Sequence, residues 1–222
     1  MLDFSTTIQS RKSIRAFLPE PLSSADIQAV LDDALRSPSA ANVQPWQIHI
    51  VSGQTLAKLS DKLLTAFQAA TPSPDFDYKP SNFVGIYGQR MMDSAKILYG
   101  TLGIARDDEK ARNDFAEGNF CFYNAPHCAF FFMPKVSDDN VYPAMDMGML
   151  VQSFMLALTA RGFGSLPQLA LAYYPDVVRE TLGVPDGYLM LGVSFGKPDM
   201  AYVGNQIRQN RASQSETVIF HS

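Results

Sequence analysis

The chain has 222 residues, 46% of them apolar and 18% charged. That is enough hydrophobic side chain for a sizeable core and too little charge density for a disordered chain, so at roughly 100–200 residues per domain it makes one large or two small globular domains. Eighteen Lys and Arg against 22 Asp and Glu leave a net charge of -4, which gives no global electrostatic reason to expect nucleic acid or an anionic membrane as partner. The apolar stretch 144–160 is interrupted by Asp146, Gly148, Gln152 and Ser153 and reads as falling short of a membrane span. The start Met1-Leu2-Asp3-Phe4 lacks the basic and apolar runs of a secretory signal. Cys121 and Cys128 are too few for a disulfide framework or a closed zinc site, so the expected compartment is the cytoplasm. Fifteen Phe and 10 Met are many for this length.

In chain order, Ser23-Ser24-Ala25-Asp26 resembles a capping box, and Ile27, Val30, Leu31, Ala34 and Leu35 follow on one helical face that stops at Ser37-Pro38. Residues 46–51 alternate and are β-branched, predicting a strand, and Leu56, Leu59, Leu63 and Phe67 return to helical spacing. The proline-rich segment 71–82 reads as a long, function-bearing loop. Helices are expected at 83–102 and 107–120, a buried strand at 129–133, and at 144–160 a helix apolar nearly all round, which implies burial on every side, partly against another subunit. Residues 189–196 form the last strand. The polar arm 199–217, tipped by Val218-Ile219-Phe220, would fray on a monomer. It is expected to add a strand to a partner's sheet, the alternative being to pack back on its own domain.

No HExxH, GxSxG, P-loop or Gly-x-Gly-x-x-Gly pattern is present. His49 and His127 read as structural and His221 is penultimate. Chemistry without a side-chain nucleophile or metal points to a bound cofactor. Three places offer to hold one. Arg11-Lys12-Ser13-Ile14-Arg15 gathers three cations and a hydroxyl, suited to phosphate. The loop from Ser37 to Trp46 presents amides and hydroxyls to a heterocycle edge, and Arg208 and Arg211 punctuate the arm.

Taken in order and spacing, Arg11-Lys12-Ser13-Ile14-Arg15-Ala16-Phe17, Ser37-Pro38-Ser39-Ala40-Ala41-Asn42-Val43-Gln44-Pro45-Trp46, Gly162-Phe163-Gly164-Ser165-Leu166-Pro167-Gln168, Gly192-Val193-Ser194-Phe195-Gly196 and Arg211 resemble the FMN-dependent nitroreductase family, closest to the branch reducing nitrobenzoates and nitrobenzenes. The resemblance implies a single α+β domain over 1–222: a central, mostly antiparallel sheet flanked by helices, in a homodimer whose arm 199–222 swaps onto the partner. It implies FMN at the dimer interface, reduced by NADH or NADPH, and two-electron ping-pong hydride transfer through flavin N5 to a nitroaromatic or quinone-like acceptor. Arg11 and Ser13 would bind the FMN phosphate with Lys12, Arg208 and Arg211. Arg15 would lie at the flavin N1/O2 edge, while Pro38, Ser39, Ala40 and Asn42 come from the other subunit. Pro167, Gln168 and Leu169 would run past the ring with an amide toward N5. Some family members carry Glu-Gly just after the equivalent proline, where this chain has Gln168-Leu169-Ala170. Alternatives on the same fold are dehalogenation, enone reduction or flavin reduction, and a further one is a non-catalytic FMN-binding protein.

Overall fold

The computed structural model describes residues 1–136 and 140–221. Its helices are α1 (Phe4–Ser10), α2 (Ser24–Ala34), α3 (Gly53–Gln68), α4 (Ile86–Thr101), α5 (Glu109–Glu117), α6 (Val141–Ala160), α7 (Pro175–Leu182) and α8 (Gln214–Thr217). The strands β1 (Gln47–Ser52), β2 (His127–Met133), β3 (Gly164–Gln168) and β4 (Tyr188–Gly196) form one antiparallel sheet in the order β1-β2-β4-β3. This is the expected α+β arrangement, with helices on both faces.

The apolar run in β2 follows from that position. Every residue of β2 is buried, and its side chains alternate between two cores. Cys128, Phe130 and Phe132 join Leu56, Leu59 and Leu63 of α3 and Val178 of α7 on one face. Ala129, Phe131 and Met133 join Val30 and Ala34 of α2 and Leu150, Phe154 and Leu158 of α6 on the other. A register shift opposite Phe131 and Phe132 reverses the facing of β4, placing Leu189 in the first core and Val193 and Phe195 in the second.

Two helices end short of expectation. The segment expected at 83–102 is helical from Ile86 to Thr101. The one expected at 107–120 stops at Glu117, because Phe120 and Phe122 turn into the first core through a bend in which Phe122, Tyr123 and Asn124 all have positive φ. Sequence reading passes over α7, although Pro175 opens it and the left-handed Gly183 closes it. It also takes 164–168 as a motif rather than as β3.

Helix α6 corrects two expectations. Starting at Val141, it is the one helix among the described residues long and apolar enough to cross a bilayer, but half of that stretch is buried in the fold, as in the core helix of a globular domain. Nor is it buried all round within one chain, since Val141, Tyr142, Met145 and Met149 stand exposed.

The arm is also redistributed. Residues 199–217 run along their own chain: Asp199 N–H donates to Ala16 O at 3.0 Å, Gln209 Nε2 to Ser94 O at 3.1 Å, and Arg90 pairs with Glu216 at 3.4 Å. Most of residues 210–221 stand exposed, with the tip residues Ile219 and Phe220 81% and 88% exposed.

Candidate active site

The segment 11–15 leaves α1 and is tied to the outer edge of β3 by a parallel bridge between Ser13 and Ser165, with Ile14 N–H donating to Ser165 O at 3.0 Å. Gly164 is required there: a Cβ on it would lie 2.8 Å from Ile14 Cγ1. The C-terminal segment then returns to the same place. Arg208 Nη1 donates to Gln9 O, and Arg211, whose guanidinium reaches Gln209 O and Asn210 O at 3.2 and 2.9 Å, faces Arg11 closely enough to act on it. The Arg11 guanidinium is half-buried, and burial, then Arg211, then Arg208 push its pKa below the ordinary value. Lys12 is lowered in the same way, by burial and then Arg208.

Among the described residues, no carboxylate lies within 4.0 Å of Arg11, Lys12, Arg208 or Arg211; the arginine ion pairs belong to Arg90, Arg161 and Arg179. Gathering like charges around a half-buried guanidinium without a counterion is unfavourable. An oxyanion with several acceptor oxygens turns that cost into binding energy. The Ser165 hydroxyl, buried and without a hydrogen-bond partner, lies on the seam beside Ser13.

Arg15 points to a different neighbourhood. Its guanidinium meets the Tyr123 hydroxyl and lies near Tyr202. Burial pushes the Tyr123 phenol up to about 12, with Arg15 working against that rise, so the phenol is neutral at physiological pH. It donates to Phe115 O at 3.0 Å.

The loop carrying Pro38, Ser39, Ala40 and Asn42 is held against α6. The Ala40 amide donates to both carboxylate oxygens of buried Asp146 at 3.1 Å, and the Gln44 amide donates to Ser39 Oγ at 2.9 Å. These bonds fix a strained backbone in which Ala41, Asn42 and Gln44 all have positive φ, between 49° and 58°. Each such non-glycine residue costs on the order of 1–3 kcal/mol and marks functional loops when the surroundings enforce it. The loop forms one wall of a cavity of about 880 Å³ whose lining includes Trp46, Phe132, Tyr142 and Asp146. Among the described residues, none of the segment 11–15 lines it and no loop hydrogen bond reaches the arginine group.

Of the third group, Gln168 is turned inward. Its Nε2 donates to Asn119 O at 2.9 Å and its Oε1 accepts from Ser194 Oγ, leaving only its backbone for a ligand. Pro167 has no N–H, and Leu169 is exposed. Sequence reading offers Tyr123 only within an aromatic stretch, as a candidate to stack on the flavin face, and misses Tyr202 and Asn205, which also border Arg15, because a tyrosine and an asparagine at those separations carry no motif. Asp146 does have a signal, as the lone acid in an apolar helix.

The sequence pattern of the nitroreductase family fits residues 8–197. Over 213 residues the chain is 38% identical to nitroreductase NfnB of Mycolicibacterium smegmatis, covering 96% of this chain and 90% of that one. It is 30% identical to a 4-nitrobenzoate reductase of Pseudomonas putida over 94% and 91% of the two chains. The crystal structure of the FMN-dependent nitroreductase NfnB from Mycobacterium smegmatis in complex with NADPH superposes with a TM-score of 0.95 at 37% identity, covering 98% of this chain and 97% of that chain.

Proposed function

The chain belongs to the nitroreductase family, and from that premise we propose that it is an FMN-dependent NAD(P)H oxidoreductase that reduces nitroaromatic or quinone-like acceptors. The observation that carries the reading is the convergence, from opposite ends of the chain, of Arg11, Arg208 and Arg211 on one spot that holds no carboxylate. A phosphate monoester completes such a group, with Lys12 and Ser13 at its side. When bound, FMN supplies hydride acceptance and donation at N5, which no side chain here offers.

The protein's own residues bind and orient. Arg11, Arg208 and Arg211 neutralise the phosphate. Arg15, beside a neutral Tyr123, sets positive charge at the N1/O2 edge, where negative charge develops on reduction. An amide of Gln168 or Leu169 faces N5. Reductant and acceptor occupy one pocket in turn, which is the ping-pong order.

Pro38, Ser39, Ala40 and Asn42 belong to this site through a second subunit. A homodimer also gives partners to surfaces that one chain leaves bare: the apolar face of α6, the tip 218–220, and α4, in which no residue is fully buried. The soluble dimer acts in the cytoplasm.

The protein as purified should be yellow with a flavin spectrum, and the colour should bleach anaerobically with NADH or NADPH and return on adding a nitroarene. A colourless protein that takes up no FMN overturns the reading. Deleting residues 218–222 should leave a folded chain with a weakened dimer by sedimentation.

A further inference from the structure

Arg15 is held by one residue on the far side of the sequence. Asn205 is fully buried. Its Oδ1 accepts from Arg15 N–H at 2.6 Å, while its Nδ2 donates to Ala16 O at 2.8 Å and to Asp199 O at 2.7 Å. One side-chain amide thus grips the backbone on both sides of the Arg15 carbonyl and ties it to the start of the C-terminal segment. The geometry around it is closed: Gly204 leaves room for the Tyr202 ring, whose Cε1 would be 2.3 Å from a Cβ placed there, and Tyr202 in turn borders the Arg15 guanidinium. Three residues after Asn205 comes Arg208 and six after it Arg211, both at the Arg11 group.

We propose that Asn205 is a positioning residue that sets the Arg15 guanidinium against the flavin edge and anchors the segment bearing Arg208 and Arg211, so that one buried amide fixes both ends of the cofactor site. The inference rests on the proposed placement of Arg15. An amide suits the task because it supplies one acceptor and two donors from a neutral group. A carboxylate would lack the donors and bury a charge, and alanine would take the acceptor from the Arg15 amide and a donor from each of two carbonyls, leaving Ala16 O with the Asp199 N–H alone.

The test compares Asn205→Ala, Arg15→Ala, the double variant and Asp75→Ala, the last a destabilised control far from Arg15, each with FMN bound. The midpoint potential of the bound flavin should fall in Arg15→Ala and fall part of the way in Asn205→Ala. The double variant should fall no further than Arg15→Ala, and Asp75→Ala should leave the potential unchanged. In FMN-free protein, amide exchange across residues 13–17 should quicken in Asn205→Ala while that of β2 does not. A potential that drops in Arg15→Ala but not in Asn205→Ala overturns the proposal alone. A potential unmoved by Arg15→Ala removes the reading of Arg15, and the proposal with it. Should Asn205→Ala not fold, Asn205→Ser, which is too short to span the three bonds and adds no charge beside Arg15, takes its place with the same expectations and the same overturning result.

Discussion

Replacing Arg11 with Met tests the anion site at its most enclosed member. Arg11 is the half-buried cation of the group, and its neighbours Arg211 and Arg208 act on it without a carboxylate between them. A charge-assisted hydrogen bond to phosphate is worth about 1.5–3 kcal/mol, which corresponds to a dissociation constant for FMN roughly 10–150-fold weaker. Arg208 and Arg211 are exposed, and their replacements should fall at the lower end of that range, because water screens them. The assay is quenching of flavin fluorescence on titrating FMN-free protein, run in parallel with riboflavin, which has the same ring and no phosphate. Arg11→Met should weaken FMN and leave riboflavin nearly untouched, and the FMN-free protein should not lose thermal stability, since the change relieves repulsion among like charges and the methionine keeps an apolar stem. Equal weakening of FMN and riboflavin would refute the assignment, placing Arg11 at the ring or in the general scaffold instead.

Gly164→Ala drives a Cβ to 2.8 Å from Ile14 Cγ1, and overpacking at this buried seam should cost about 1–3 kcal/mol, seen as a lower Tm and looser FMN binding. Asp75→Ala removes a carboxylate that accepts from both Arg179 nitrogens and from Leu189 N–H at 2.9 Å; because Arg179 keeps Asp176 at 2.8 Å, the loss should be about 3 kcal/mol, the low end for breaking a buried pair, by urea unfolding with flavin chemistry retained. His127 accepts the Leu22 N–H at Nε2, 2.9 Å away, and burial holds its pKa below the ordinary value. The unfolded chain therefore takes up the proton first as pH falls, so the stability this imidazole contributes is complete above the unfolded value near 6.5 and is lost as pH drops through the folded one. His127→Gln should reduce the slope of unfolding free energy against pH between 7.5 and 5 without abolishing it, since burial lowers His49 as well; an unchanged slope would show that His127 is not the source.

The elements legible in the sequence are those whose side chains obey one period. The face of α2, the alternation of β1, the leucine spacing of α3 and the apolar run of β2 each report a local environment directly. Where a residue's environment is set by a distant segment, the period is silent. Phe120 and Phe122 read as a continuing helix because nothing nearby shows that the first core lies beneath them and pulls the chain into three consecutive left-handed residues. β3 has five residues, one of them Pro167, and no alternation to read; it is a strand because β4 and Ser13 pair with it.

The site divides in the same way. The gathering of Arg11, Lys12, Arg208 and Arg211, proposed to take a phosphate, is legible because cations that lack acidic neighbours in sequence keep that character when folded together. Asn205 is not, because the work proposed for it is to fix another residue, and any polar side chain of the right reach at the right depth serves. The surplus of Phe and Met separates along this line too. Phe130, Phe131, Phe132, Phe154 and Phe195 fill the two cores, whereas Met91, Met92, Met145, Met149 and Phe220 remain exposed. In the single chain this second set faces solvent. The proposed homodimer would bury these flexible thioethers against a planar cofactor and its aromatic acceptors, and the strained loop at 38–44, braced by Asp146, is the component that the proposed partner would receive.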